Sequence, residues 1–295
     1  MFGLLANALY TMHQGQSGGR GLSPRLWDRA RGQMLTPDGF NNAYSFFDDF
    51  LSFQGVTLTT AAGQLQPPNG YFAYIEVDAT VGSILQLATT VGGVIKLLSS
   101  TDAADGLDHQ TVLGTGGNVG VMGVISDTAG ADKMLIFEAR IRVPSIANSV
   151  GSVFVGLGEE GLCAAATPLA TDTTHKLASK DLIGFTILED DGDALKFQYR
   201  KAGQATQTVG TFGTALAADT WYKVGFVYDP IAPESQRISW YVDNEEQTSK
   251  VTATNIAAAT FPDGEELAMY ASVIATADAV PHSLQLDWWA FFQNG

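Results

Sequence analysis

The chain has 295 residues, of which only 16% are charged, with 16 Lys and Arg against 31 Asp and Glu and a formal charge of −15. That balance argues against a nucleic-acid-binding body, because neutralising phosphates takes Lys and Arg. Hydrophobic residues make up 45% and aromatics 10%, enough to build a large core, and the length fits one large or two ordinary domains.

Cys163 is the single cysteine, so there is no internal disulfide, and folding in a reducing compartment is expected. No apolar run reaches the roughly 18 residues that a membrane span requires. The apolar opening, Met1 to Tyr10, has no basic region before it, so it is expected to belong to the mature protein rather than to a signal peptide.

Charge is unevenly placed. Residues 1–35 hold Arg20, Arg25, Arg29 and Arg31 against one acid, Asp28, so a basic arm precedes an acidic body. Gly15, Gly18, Gly19 and Gly21, then Ser23-Pro24, resist regular structure until a surface orders them. Pro24 to Gly32 has room for one or two helical turns.

From Ala43 onward, short apolar runs alternate with turn residues. Residues 71–79 alternate Tyr71, Ala73, Ile75 and Val77 with Phe72, Tyr74, Glu76 and Asp78, the period of a strand. Phe137, Ala139, Ile141 and Val143 alternate with Glu138, Arg140 and Arg142 in the same way. So do Leu195, Phe197 and Tyr199 with Lys196, Gln198 and Arg200, and Ile238, Trp240 and Val242 with Ser239, Tyr241 and Asp243. Such patterns predict half-buried antiparallel strands. Asp191-Gly192 and Asp243-Asn244 supply the positive φ that tight hairpins need, and Pro230 stops the long strand that begins at Thr220. Thirty-two glycines suit the many turns of an all-β, two-sheet antiparallel jelly-roll sandwich. The division expected is an extended basic arm over residues 1–44 and a sandwich over 45–295.

No catalytic constellation is expected. A retaining glycosidase needs two carboxyls about 5 Å apart. Glu76-Val77-Asp78 is the nearest match, but Thr80 and Val81 stand where a further acid belongs. Cys163 lies among Gly161, Leu162 and three alanines, the setting of an inert thiol. His13, His109, His175 and His282 are scattered, without ligand spacing. Asp102, Asp105 and Asp108, like Asp190, Asp191 and Asp193, miss the calcium-loop pattern and are expected in solvated turns. Gly114-Thr115-Gly116-Gly117 lacks the Lys of a phosphate loop. No cofactor or metal is therefore expected. Trp288 and Trp289 are adjacent, so one must face away from the core, as a sugar platform or a subunit contact.

Three stretches carry a further signal: Asp219 to Asp229, with Trp221-Tyr222-Lys223-Val224-Gly225-Phe226; Ile238 to Asn244, with Tyr241-Val242-Asp243-Asn244; and Leu284-Gln285-Leu286-Asp287-Trp288. Together they resemble concanavalin/laminin-G-like sandwiches. Asp48-Asp49-Phe50 resembles the start of such domains in virion proteins of tailed bacteriophages, and the similarity covers residues 45–295. The resemblance implies a concanavalin-like fold and a non-enzymatic capsid decoration (cement) protein. It would be made in the host cytoplasm and placed on the capsid surface, as a homotrimer bound to the major capsid protein. A carbohydrate-binding or receptor-binding tail component with the same sandwich is the alternative. In the decoration reading, Arg20, Arg25, Trp27, Arg29 and Arg31 contact the partner, with Trp27 as anchor.

Overall fold

The computed structural model describes residues 21–28, 43–50, 56–57, 64–65, 72–77, 83–87, 93–100, 105–111, 122–128, 133–145, 150–162, 167–170, 176–189, 194–276 and 281–294. Among them, two antiparallel sheets face each other as a sandwich.

Sheet A runs in the order β16 (Glu245–Glu246), β15 (Ile238–Val242), β14 (Trp221–Tyr228), β9 (Leu135–Arg142), β18 (Ser283–Asn294), β6 (Ile95–Leu98), β5 (Ser83–Gln86), β2 (Val56–Thr57). Strand β1 (Ala43–Asp48) joins it along β18. Sheet B runs β13 (Gln207–Thr211), β12 (Leu195–Arg200), β11 (Leu182–Ile187), β10 (Gly151–Glu159), β17 (Glu266–Ala275), β7 (Gly106–Thr111), β4 (Phe72–Val77), β3 (Gln64–Leu65). Strand β8 (Gly123–Val124) joins that sheet along β17.

The strands form where residues alternate. On β9, Phe137, Ala139 and Ile141 enter the core between the sheets, while Glu138, Arg140 and Arg142 fall on the outer face. On β12, Leu195, Phe197 and Tyr199 turn inward, as Trp240 does on β15. The core is an aromatic stack in which Phe197 lies 5.8 Å from Trp240, 5.4 Å from Phe226 and 5.1 Å from Phe185.

The expected turns sit where the chain reverses. Ile187 pairs with Leu195, so the chain reverses between them; Asp191 and Gly192 lie outside the described residues. Asp243 and Asn244 take φ of 47° and 69° between Val242 and Glu245, which pair. At Asp48-Asp49-Phe50, the Phe50 N–H donates to Asp48 Oδ1 at 2.7 Å and Phe50 takes a φ of 56°. That bend drives its ring into the core, 5.7 Å from Trp289, which stacks on His109 at 4.8 Å.

Candidate functional site

The feature built with most side-chain chemistry lies on the outer face of sheet A. Alternation sends Ile136, Val227, Tyr241, Trp288, Ala290 and Phe292 outward, where water would meet a broad apolar patch. Residues 21–28 cover it. Trp288 is thus the outward member of the tryptophan pair, buried by its own chain, while Trp289 sits in the core.

The covering segment folds locally for simple reasons. Pro24 suits the first position of a helix, since its missing N–H would have no partner there. Residues 24–28 form a short helix in which the Trp27 N–H donates to the Ser23 carbonyl at 3.1 Å. One turn then points Leu26 and Trp27 the same way, onto the sheet. Gly225 makes room for them: a β-carbon there would lie 2.7 Å from Leu26 Cδ1 and 2.7 Å from the Phe137 carbonyl.

Glu138 is the polar centre of this seat and is only 1% exposed. Its Oε2 accepts from the Trp27 indole Nε1 at 2.7 Å and from the Ser23 N–H at 3.0 Å. Burial pushes its carboxyl above the usual range, an effect opposed by those hydrogen bonds and by the charge of Lys223. Lys223 Nζ donates to the Gly21 carbonyl at 3.3 Å. At the rim, the Arg25 N–H donates to Asn244 Oδ1 at 2.8 Å, and the Arg25 guanidinium pairs with exposed Glu245 at 2.5 Å.

Beside the seat lies a polar stripe. Register aligns Lys96, Gln285, Arg142 and Trp221 across four strands. The Arg140 and Arg142 guanidinium carbons lie 4.7 and 5.0 Å from the Trp221 ring centre, within cation–π range. Arg140 pairs with buried Asp287, and Arg142 Nε donates to Gln285 Oε1 at 2.9 Å.

Sheet B carries a second buried acid on its outer face. Asp108 pairs across the strands with Ser272 and accepts from Thr167 Oγ1 at 3.3 Å. Leu162, Leu169 and Leu177 pack with Phe154, Leu182 and Tyr270 on that side of the sheet. Burial pushes Asp108 up to about 7.

The solvated-turn expectation fails for two acids: Asp108 lies on strand β7 and Asp105 is buried, its carboxylate accepting from Ser100. Spacing alone hides this, because what excludes the water comes from distant residues. Asp102, Asp190, Asp191 and Asp193 lie outside the described residues.

Among the described residues, the other singled-out groups do not converge. Glu76 on β4 stands opposite Leu107, a core residue, while Asp78, Cys163, His13 and His175 lie outside the described residues. His109 and His282 are buried, and burial lowers them to about 3 and about 4, so both are neutral. Among the described residues no group of three His, Cys, Asp or Glu is placed to hold a metal ion. Of the five arm residues named for partner contact, the structure places Arg25 at the rim and Trp27 under it, 4% exposed. Arg20, Arg29 and Arg31 lie outside the described residues. Glu138 escaped the sequence reading because a lone acid in an alternating strand looks solvated. The one available signal was the overlong apolar outward face that follows it on β18.

No protein-family model matches the chain, and no curated protein is similar to it. Solved structures do match. An endo-1,3-β-glucanase from Streptomyces sioyaensis aligns with a TM-score of 0.51 and 12% identity, over 86% of this chain and 97% of that one. A protein of unknown function from Shewanella oneidensis MR-1 aligns with 0.48 and 18%, over 88% and 95%. Bacillus licheniformis β-glucanase aligns with 0.45 and 14%, over 84% and 97%. At such identities the likeness shows the fold alone: the chain is an all-β, concanavalin-like jelly-roll sandwich.

Proposed function

We infer that the chain is a non-enzymatic structural sandwich that works through its surfaces. In its specific form it is a tailed-phage capsid decoration protein, a homotrimer bound to the major capsid protein and steadying the head. The observation that supports this best is the seat for residues 21–28: a short N-terminal segment carrying Arg25 and Trp27 binds a sheet face shaped for it. A body that already holds its own basic arm this way has the means to grip neighbours by such contacts. The phage assignment itself rests on the motif resemblance in residues 48–50 and 219–289. Repetition over a lattice would turn modest contacts into firm attachment.

The test is to mix purified protein with undecorated capsids and sediment them. Co-sedimentation at a fixed ratio to the major capsid protein is expected, and the absence of binding at any concentration would overturn the reading. Deleting residues 1–35 then isolates the arm's share. As a non-enzyme, the chain should show no β-glucan turnover, with or without Glu76→Gln.

Carbohydrate binding is the second reading. It is favoured by Trp221 lying against Arg140 and Arg142 beside Asp287 and Gln285, an aromatic ring among hydrogen-bonding groups on a sheet face. Glycan-array binding that disappears in Trp221→Ala would select it over the first.

A further inference from the structure

Residues 21–28 and strand β1 meet on one patch: Ala43 packs against the cluster that Leu22, Leu26 and Trp27 complete. Fourteen residues separate Asp28 from Ala43, a contour of up to roughly 50 Å. That length is enough to carry the segment to another body.

The segment also has the character of a ligand. Its helix is too short to form alone, and it adds no strand to either sheet. It is held by its side chains in the cluster and by a few polar contacts to Glu138, Lys223, Asn244 and Glu245. The face needs a cover, since Ile136, Tyr241, Trp288 and Phe292 would otherwise be wet around an acid. Nothing in those contacts requires the cover to come from the same chain. The same bonds could be made between two copies, with the balance set by the segment's effective concentration.

We propose that the outer face of sheet A is the acceptor for residues 21–28 of a second copy of this chain, Trp27 of one copy seating against Glu138 of the next. The contact is head-to-tail, so three copies exchanging segments in a ring would fill every seat. This deepens the arm-docking part of the function proposed above and does not depend on capsid binding, which is measured separately.

The experiment uses the full chain with Cys163→Ser, so that introduced thiols are the only ones. One population carries Arg25→Cys and one tag, the other Glu245→Cys and a second tag. Both positions are exposed, at 59% and 71%. The populations are mixed over a range of concentrations and treated with a short bismaleimide. The expected result is a product bearing both tags, rising with concentration and lost when Trp27→Ala is added to the Arg25→Cys chain. Circular dichroism of that variant confirms that the sandwich is intact. Two results would overturn the proposal: no two-tag product at any concentration while a control chain with both Arg25→Cys and Glu245→Cys cross-links within itself, or a two-tag product that survives Trp27→Ala. Failure of capsid co-sedimentation with a positive cross-link would reject the decoration role and leave the exchange standing.

Discussion

The indole of Trp27 donates to the carboxylate of Glu138 across 111 positions of sequence, at 2.7 Å and out of water. Glu138 also accepts from the Ser23 N–H, but the indole's bond is the one that ties the two side chains together. Glu138 stripped of its cover is an acid amid apolar side chains, and Trp27 without its acceptor loses a partner that a buried indole usually finds.

Trp27→Ala is therefore expected to cost about 3 kcal/mol of stability, combining a cavity with a weakened acceptor. Glu138→Gln keeps an oxygen that can accept from the indole and is expected to cost about 1 kcal/mol. Urea unfolding followed by tryptophan fluorescence checks both. Equal losses would mean that the charge of the Glu138 carboxylate, which Gln lacks, matters as much as the packing and hydrogen bond of the indole.

The second buried acid sets a pH dependence whose sign is fixed by its direction of shift. Below about pH 3.8, Asp108 holds a proton whether the chain is folded or not. Between there and about 7 the folded chain keeps a proton that the unfolded chain releases, so stability falls as pH rises and the loss is complete above 7. His109 and His282 act oppositely: held neutral by burial down to about 3 and about 4, they make stability fall as pH drops below 6.5. Asp108→Asn should remove that decline, gaining about 2–3 kcal/mol on the native chain between pH 5 and 8. Denaturant midpoints at several pH values measure it, and parallel curves for the two proteins would reject the assignment.

The ion pairs should separate sharply by burial. Asp287→Ala leaves Arg140 nearly buried with its charge unpaired and is expected to cost about 3 kcal/mol. Glu245→Ala, at the exposed rim, should cost less than about 1 kcal/mol. Thermal melts at low and high salt compare them, since salt weakens the exposed pair more.

Gly156 and Gly184 face each other across β10 and β11. A β-carbon on Gly156 would sit 2.3 Å from the Ile183 carbonyl oxygen and 2.5 Å from Gly184 Cα, both backbone atoms with little freedom to yield. Gly156→Ala should lose at least ~2 kcal/mol. Gly213→Ala, with nothing within 4 Å of the new carbon, should stay within about 0.5 kcal/mol.

Period-two patterning made the strands readable, because each strand of an antiparallel sandwich declares its buried face locally: Phe137 and Ala139 against Glu138, or Phe197 against Lys196 and Gln198. The turn at Asp243-Asn244 was equally local. What alternation leaves unsaid is what covers an outward residue. Glu138 and Asp108 are both on outer faces, and both are dry, because residues 21–28 and the leucines at 162, 169 and 177 pack there from elsewhere in the chain. Trp27 was expected to anchor a contact with a partner; here it packs against its own chain, and its acceptor, 111 positions away, had no local signature.

The bare backbone at Gly225 works as a keyhole. A side chain at that point would press on Leu26 Cδ1 and on the Phe137 carbonyl, straining the seat of residues 21–28 through a change about two hundred positions downstream. Attachment of the tether is thus under the control of a site that the tether's own sequence never reveals, and natural variation at position 225 would report which descendants keep the latch closed.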